Sequence, residues 1–168
     1  MATREKHISQ WKHNREFLCT ISPNYPDWIV TACFYTAVHA IDTLLAHDKF
    51  FPTSHDSRNE VLVKTNRYAA IYKSYGPLYT LSRTVRYFAN PTVWIKIEDI
   101  QPKVIEKYLY PIEKSVQKLT GVDLSLPKII IRSETLDDSA IRTPQAESAE
   151  KLREIRAATP PSPDQPLK

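Results

Sequence analysis

Glycine is the residue that most constrains this chain, because it occurs at only two of the 168 positions, Gly76 and Gly121. Two isolated glycines cannot form the G-x-G-x-x-G or G-x-x-x-x-G-K-[ST] loops that hold phosphates. Tight β-hairpin turns also depend on glycine. The sequence therefore excludes the glycine-rich nucleotide-binding loops and favours a helical fold over a hairpin-rich β fold.

Length and cysteine content place the chain in a broad class. A chain of 168 residues is long enough for one domain with a real hydrophobic core. Cys19 and Cys33 are too few for a zinc site of their own or a disulfide scaffold, which favours a reducing compartment. The charged start MATREKHISQ does not resemble a secretory signal, and no uninterrupted apolar run reaches about 18 residues. We therefore expect a cytoplasmic protein without a membrane span.

The composition divides the chain into two parts. Residues 4–121 carry regular apolar periodicity and are the predicted folded domain. Residues 122–168 form a polar, proline-rich tail that we expect to be largely disordered. Within the tail, the apolar residues 129–131 could dock as an extended segment, and residues 145–157 could form a marginal helix or fold on a partner.

Apolar periodicity predicts a bundle of helices in the first part of the chain. The helix near residues 27–47 is apolar almost all round, which predicts a central, buried position. A later helix contains Gly76 and Pro77, where we expect a kink or a split. The predicted helices span about residues 4–21, 27–47, 54–64, 67–89 and 97–120. The predicted fold class is therefore all-α, a four- to five-helix up-and-down bundle.

Positive charge is concentrated in one segment. Residues 58–96 contain seven Lys and Arg residues and one acid, Glu60. Such an imbalance favours an anionic partner, of which nucleic acid is the commonest kind. The alternative is a solvated basic face that binds nothing.

Three groups of side chains could carry chemistry. His39 and Asp42 are three residues apart on the central helix, where the carboxylate could orient or charge the imidazole. The alternative is a buried histidine that is merely satisfied by a neighbouring acid. No HExxH or comparable spacing occurs among the five histidines, so we expect no metal and no cofactor.

The second group is the run Ser54-His55-Asp56-Ser57-Arg58-Asn59, at a junction between a loop and a helix. Helix N-termini attract anions, and the Arg58 guanidinium could bind a phosphate through two hydrogen bonds. Ser54 and Asn59 would support His55 and Arg58 in this role. The alternative is an ordinary helix cap by Ser54 or Asp56.

The third group is the run Ser82-Arg83-Thr84-Val85-Arg86-Tyr87. Paired arginines beside tyrosines suit phosphate binding combined with base stacking. The alternative is that Arg83 and Arg86 form structural salt bridges. A tyrosine stripe precedes this run, and we interpret it as core more readily than as a stacking surface. It comprises Tyr68, Tyr72, Tyr75 and Tyr79.

Taken in order, these motifs resemble the HEPN superfamily of small helical-bundle proteins. The resemblance covers about residues 8–120 and comprises an aromatic-rich central helix, a serine-histidine pair in the next loop, and a later run of tyrosine, serine and arginine. The residues that carry it are Tyr35, Ala37, His39, Ser54, His55, Tyr79, Ser82, Arg83, Arg86 and Tyr87.

The resemblance implies a helical bundle that is commonly a homodimer. Many HEPN members are metal-independent ribonucleases of toxin–antitoxin, CRISPR and other defence systems, and others bind nucleotides or act beside a small nucleotidyltransferase. The ribonucleases carry an R-x(4–6)-H motif late in the bundle. This chain lacks that motif, because no histidine follows His55.

Two classes of function remain open at this point. The first is RNA binding, or metal-independent cleavage at a displaced site, in which His39 or His55 transfers protons. Arg58 and Arg83 would hold the phosphate, and Arg86 and Tyr87 would contact the nucleic acid or a nucleotide. The second is a non-catalytic dimerisation, adaptor or nucleotide-binding module whose partner would be an antitoxin or a nucleotidyltransferase.

Overall fold

The structure is a computed structural model that describes residues 3–87 and 95–131. The residues in these two ranges form helices and connecting segments, with no β-strand among them. The α-helices are α1 (Arg4–Leu18), α2 (Pro26–His47), α3 (His55–Lys64), α4 (Ala69–Tyr87), α5 (Ile97–Ile100) and α6 (Tyr110–Thr120). A 3₁₀ turn, Asn66–Tyr68, precedes α4. The predicted all-α bundle is confirmed.

Helix α2 is the central element and packs against α1, α4 and α6. Its buried residues lie on almost every face, as its apolar sequence predicts. One stripe departs from that prediction, because Trp28 is 60% exposed and Tyr35 is 38% exposed. Helix α1 ends at Leu18, short of the predicted residue 21, and no described element covers this stripe. The predicted central, buried position of this helix is therefore confirmed, with this stripe as its exposed part.

A reciprocal cap starts helix α3. The Ser54 hydroxyl accepts a hydrogen bond from the Ser57 amide, and the Ser57 hydroxyl accepts one from the Ser54 amide, both at 3.1 Å. Such a pair satisfies backbone donors that a helix N-terminus otherwise leaves free. The cap fixes the first turn of α3, which carries His55 and Arg58.

The tyrosine stripe before and within α4 divides into core and surface positions. Tyr68 and Tyr75 are fully buried, which agrees with their interpretation as core, whereas Tyr72 is partly exposed. Helix α4 continues through Pro77 as one element, so of the predicted kink or split, the split does not occur. Proline removes one helical hydrogen bond, and the buried side chains of Tyr75 and Leu78 on either side stabilise the continuous helix. Residues 88 and 89 of the predicted helix lie outside the described residues.

The last predicted helix, residues 97–120, is helical throughout but changes its hydrogen bonding. Helix α5 passes into a π-helical segment, Gln101–Leu109, which is followed by α6. At the end of that segment the Tyr110 amide donates to the Ile105 carbonyl, five residues back. Helix α6 ends at Thr120 and is capped by Gly121, whose φ of 68° is the left-handed conformation that glycine adopts without strain.

Residues 122–131 contain neither helix nor strand and lie against the bundle. Leu124 and Ile129 are buried in the same core as the helices. The backbone of Ile129 bonds with the Tyr110 hydroxyl through both its amide and its carbonyl, and Arg15 donates to the Pro127 carbonyl at 2.8 Å. The start of the predicted tail therefore packs on the domain. The predictions for residues 132–168, including the helix at 145–157, lie outside the described residues.

Helix α2 is long and apolar enough to cross a membrane, and it is the one helix of that kind among the described residues. Its most apolar window is 83% buried inside the bundle. The central helix of a soluble bundle has the same length and composition, so this observation is weak support for a membrane span.

Candidate nucleic-acid interface

Five polar side chains from α1, α2 and α3 form a continuous series, here called the polar chain. His39 Nδ1 lies 3.2 Å from His7 Nδ1, which is 4.0 Å from Asp42 Oδ2. Asp42 binds Arg58, and Arg58 in turn contacts His55 Nδ1 at 3.1 Å. The polar chain therefore connects His39 to His55, two of the predicted site residues, through the buried ion pair of Asp42 and Arg58.

The ion pair is the strongest link of the polar chain. Arg58 donates from Nε to Asp42 Oδ1 at 2.6 Å and from Nη2 to Oδ2 at 2.8 Å. Both residues are buried, with 6% and 7% of their surface exposed. Burial alone would lower the pKa of Arg58, but its hydrogen bonds to the Asp42 carboxylate raise that pKa overall. The guanidinium is therefore charged and already neutralised by a partner.

This pairing differs from the arrangement that the sequence suggested for Asp42. The carboxylate makes its hydrogen bonds with Arg58, and none with His39 is found among the described residues. A planar guanidinium matches both carboxylate oxygens at once, which an imidazole cannot do. The main contacts of Arg58 are thus its structural hydrogen bonds to Asp42, and its remaining nitrogen, Nη1, contacts His55.

The contact with Arg58 determines the protonation of His55. A guanidinium can only donate hydrogen bonds, so His55 Nδ1 must accept this one and carry no proton. The ring proton is then on Nε2. Partial burial lowers the pKa of His55, and the positive charges of Arg58 and Arg86 lower it further. His55 is therefore neutral at pH 7 and presents an N–H donor at Nε2.

His39 lies at the other end of the polar chain and does not contact His55. Burial lowers the pKa of His39, and the neighbouring His7 ring adds to that effect. Because the two Nδ1 atoms face each other, one ring must donate and the other accept. His7 also lines a cavity of about 290 Å³ together with Asp42, Phe50 and Phe51.

Aromatic rings surround His55. The centroid of its ring is 5.4 Å from that of Phe34 and 5.7 Å from that of Tyr79. Tyr79 stacks on the buried Tyr75 at 6.1 Å. Burial raises the pKa of Tyr75 to about 12, so its hydroxyl remains protonated. The rings of Phe34 and Tyr79 therefore pack against the imidazole of His55.

Arg86 also packs against Phe34 and is held in place by hydrogen bonds. Its Nε donates to the Ser82 carbonyl at 2.9 Å, and its Nη1 donates to the Tyr35 hydroxyl at 3.0 Å. The Arg86 Cζ lies 5.2 Å from the Phe34 ring centroid and 5.6 Å from that of Tyr35. None of these partners carries a negative charge, so the charge of Arg86 is oriented but not neutralised.

Arg83 and Tyr87 lie on the exposed side of α4. The Arg83 Cζ is 5.8 Å from the Tyr79 ring centroid, and Tyr87 is 76% exposed. Both residues line a shallow cavity of about 250 Å³ that includes Tyr79. Tyr79 thus connects Arg83 to His55, although Arg83 makes no direct contact with the polar chain among the described residues.

Of the three predicted supporting residues, Asp42 belongs to the polar chain, whereas Ser54 and Asn59 lie outside it. Ser54 caps α3, and the buried Asn59 Oδ1 atom has no hydrogen-bond partner among the described residues. Sequence reasoning missed His7, because its contact with His39 joins residues that are 32 positions apart. It also missed Phe34 as a ring that both His55 and Arg86 contact, since an aromatic residue on a core helix is usually packing alone.

Among the described residues, no group of three or more His, Cys, Asp and Glu side chains is arranged to hold a metal ion. Scanning the chain against protein-family models, curated proteins and solved structures found no match. The functional inference therefore depends on the geometry of this chain alone.

Proposed function

We propose that this protein is a HEPN-like RNA-binding protein that holds an RNA phosphate between His55 and Arg86. The observation that supports it best is the contrast between these groups and Arg58. Within residues 3–87 and 95–131 no acidic side chain forms an ion pair with the fixed cation Arg86, and His55 presents a neutral N–H donor that also contacts Phe34. One charged and one neutral donor suit a phosphodiester, which carries a single negative charge.

The surroundings favour RNA over a small inorganic anion. Tyr79, Arg83 and Tyr87 extend the surface along α4 with rings and a second guanidinium. Rings beside cations bind bases and backbone together. The charge of the whole segment 58–96, with seven cations and one acid, adds a field that attracts a polyanion.

Metal-independent RNA cleavage is the second candidate, because a histidine and two arginines supply donors and positive charge without a metal. Taking the proton from a 2′-hydroxyl would require an unprotonated Nε2 on His55. The ring proton would then move to Nδ1 and break the contact with Arg58. We therefore place phosphate binding first and cleavage second.

The test measures binding and cleavage in the same samples. Purified protein is titrated into labelled single-stranded RNA with EDTA present, fluorescence anisotropy reports binding, and a denaturing gel reports cleavage. We expect Arg86→Gln and His55→Ala each to weaken binding about tenfold, since a hydrogen bond to a charged group contributes about 1.5–3 kcal/mol.

The matched control is Lys73→Gln, which removes one exposed positive charge from the same helix α4. We expect this variant to weaken binding only about twofold, through the general field. Binding that is equally sensitive to Lys73 and Arg86 would contradict the proposed site. If His55→Ala loses cleavage but retains binding, His55 acts in catalysis, and the proposed role of His55 in phosphate binding is wrong.

The resemblance to the HEPN superfamily adds three predictions of its own. They are a homodimer, a place in a toxin–antitoxin or other defence system, and an antitoxin or nucleotidyltransferase partner. A nucleotide in place of RNA would use the same phosphate donors. Competition of labelled RNA by mononucleotides in the anisotropy assay separates these two ligands.

A further inference from the structure

A second surface adjoins Arg86 and is not used by the phosphate site. Helices α1 and α2 enclose a groove of about 370 Å³, here called the aromatic groove. Its aromatic members are exposed, with Phe17 at 46%, Trp28 at 60% and Tyr35 at 38%. The amides of Gln10 and Asn14 and the imidazole of His39 supply its polar atoms. The groove combines stacking surfaces with neutral hydrogen-bonding groups.

The aromatic groove is continuous with the phosphate site. Trp28 and Thr31 line both the groove and a smaller cavity of about 160 Å³ whose wall includes Arg86. The Tyr35 hydroxyl, at the edge of the groove, accepts the hydrogen bond from Arg86. A ligand that occupies the groove therefore ends beside the unneutralised guanidinium.

These features together select the class of occupant. Exposed rings stack on bases, side-chain amides pair with base edges, and a guanidinium binds phosphate. A base inside a duplex is already stacked and paired, so it cannot enter such a groove. A second copy of this chain would bring the same excess of positive charge to this surface, whereas RNA brings the opposite charge.

We propose that the aromatic groove binds one unpaired nucleobase of RNA, with the adjoining phosphate at Arg86. This inference rests on the proposed function and adds that the substrate is single-stranded. Trp28 is the main stacking residue, because it is the most exposed ring of the groove and also lines the cavity that contains Arg86.

One acidic residue opposes phosphate binding beside Arg86. Asp27 lines the smaller cavity together with Trp28 and Arg86. Its carboxylate repels a phosphate bound in this cavity and so opposes part of the attraction of Arg86. It follows that Asp27→Asn should strengthen RNA binding about twofold at low salt, a change opposite to that of the other substitutions.

The test compares Trp28→Ala with the wild-type protein on two labelled probes, a short oligoadenylate and a duplex RNA of equal length. Stacking on one aromatic side chain contributes about 1–3 kcal/mol per base. We expect Trp28→Ala to weaken oligoadenylate binding about tenfold and to leave duplex binding unchanged. The variant Trp28→Phe keeps an aromatic ring and should retain most of the wild-type affinity for oligoadenylate. The matched control is Phe51→Ala, a ring with 45% exposure outside the groove, which should change neither affinity.

The outcomes separate this inference from the proposed function. If Arg86→Gln weakens binding of oligoadenylate and Trp28→Ala does not, the groove inference fails and the phosphate site stands. If the wild-type protein binds neither probe at low salt, both fail. Analytical ultracentrifugation of the wild type and of Trp28→Ala gives the last outcome. If the wild type is a dimer and Trp28→Ala is a monomer, the groove binds a second copy of the chain and the groove inference fails.

Discussion

The two arginines nearest His55 differ in what surrounds them. Arg58 is buried and shares two hydrogen bonds with the Asp42 carboxylate. Arg86 is partly exposed, and its neighbours are a backbone carbonyl, two hydroxyl groups and three aromatic rings. Both side chains are held in one orientation, but of the two only Arg58 forms an ion pair with an acid in the part of the chain that the structure describes.

This difference distinguishes an arginine that stabilises the fold from one whose charge is available to a ligand. A buried, paired charge contributes to stability mainly because removal of its partner is costly. A charge that is oriented by dipoles and rings remains available to an external anion. Sequence analysis named Arg58, Arg83 and Arg86 together as candidate phosphate ligands, and the geometry favours Arg86 among them.

The largest effect is expected when the ion pair is broken. Asp42→Ala leaves the buried Arg58 guanidinium without a partner and should lower the free energy of unfolding by about 3–5 kcal/mol. Urea unfolding followed by circular dichroism measures this change. The double variant Asp42→Leu/Arg58→Met should recover most of the loss, and an equally unstable double variant would show that the pair itself contributes the stability.

Substitution of Arg86 should separate stability from binding. Arg86→Gln removes no buried ion pair, so we expect the free energy of unfolding to change by less than about 1 kcal/mol, measured in the same urea titration. A loss as large as that of Asp42→Ala would make Arg86 structural, and the contrast between the two arginines would not hold.

The histidines of the polar chain should make stability depend on pH. The pKa values of His39 and His55 are lowered in the folded chain, so below about pH 6.5 the unfolded chain binds protons that the folded chain does not. Their contribution is present above about pH 7 and is lost as the pH falls toward the lowered values. The melting temperature should therefore drop between about pH 7.5 and pH 6, and the drop should be smaller in His39→Gln. An identical drop in that variant would exclude His39 as a source.

The smallest effect is expected at Arg83. Its guanidinium contacts one ring and is exposed, so Arg83→Gln should weaken RNA binding only about twofold to threefold, against about tenfold for Arg86→Gln. Anisotropy titrations at two salt concentrations measure both affinities. Equal losses at the two positions would place the phosphate nearer to Arg83 and would shift the site along α4.

Local sequence patterns were sufficient to predict where the main helices lie. The apolar period predicted each of the main helices, and the Ser54 cap was readable because a capping side chain acts within one helical turn. The continuity of α4 through Pro77 could not be predicted, since it depends on how Tyr75 and Leu78 pack against other elements. The exposure of Trp28 was missed for the same reason, because hydropathy does not show which face of a helix lacks a neighbour.

By itself, the sequence determined an all-α bundle, a basic segment, and candidate residues that include His39, His55 and Arg86. Periodicity, capping and charge are properties of neighbouring residues, so they can be read along the chain. Only the tertiary structure decided that Asp42 pairs with Arg58, that His7 meets His39, and that Trp28 lies beside Arg86. These are contacts between separate helices, and the packing of the whole core determines them.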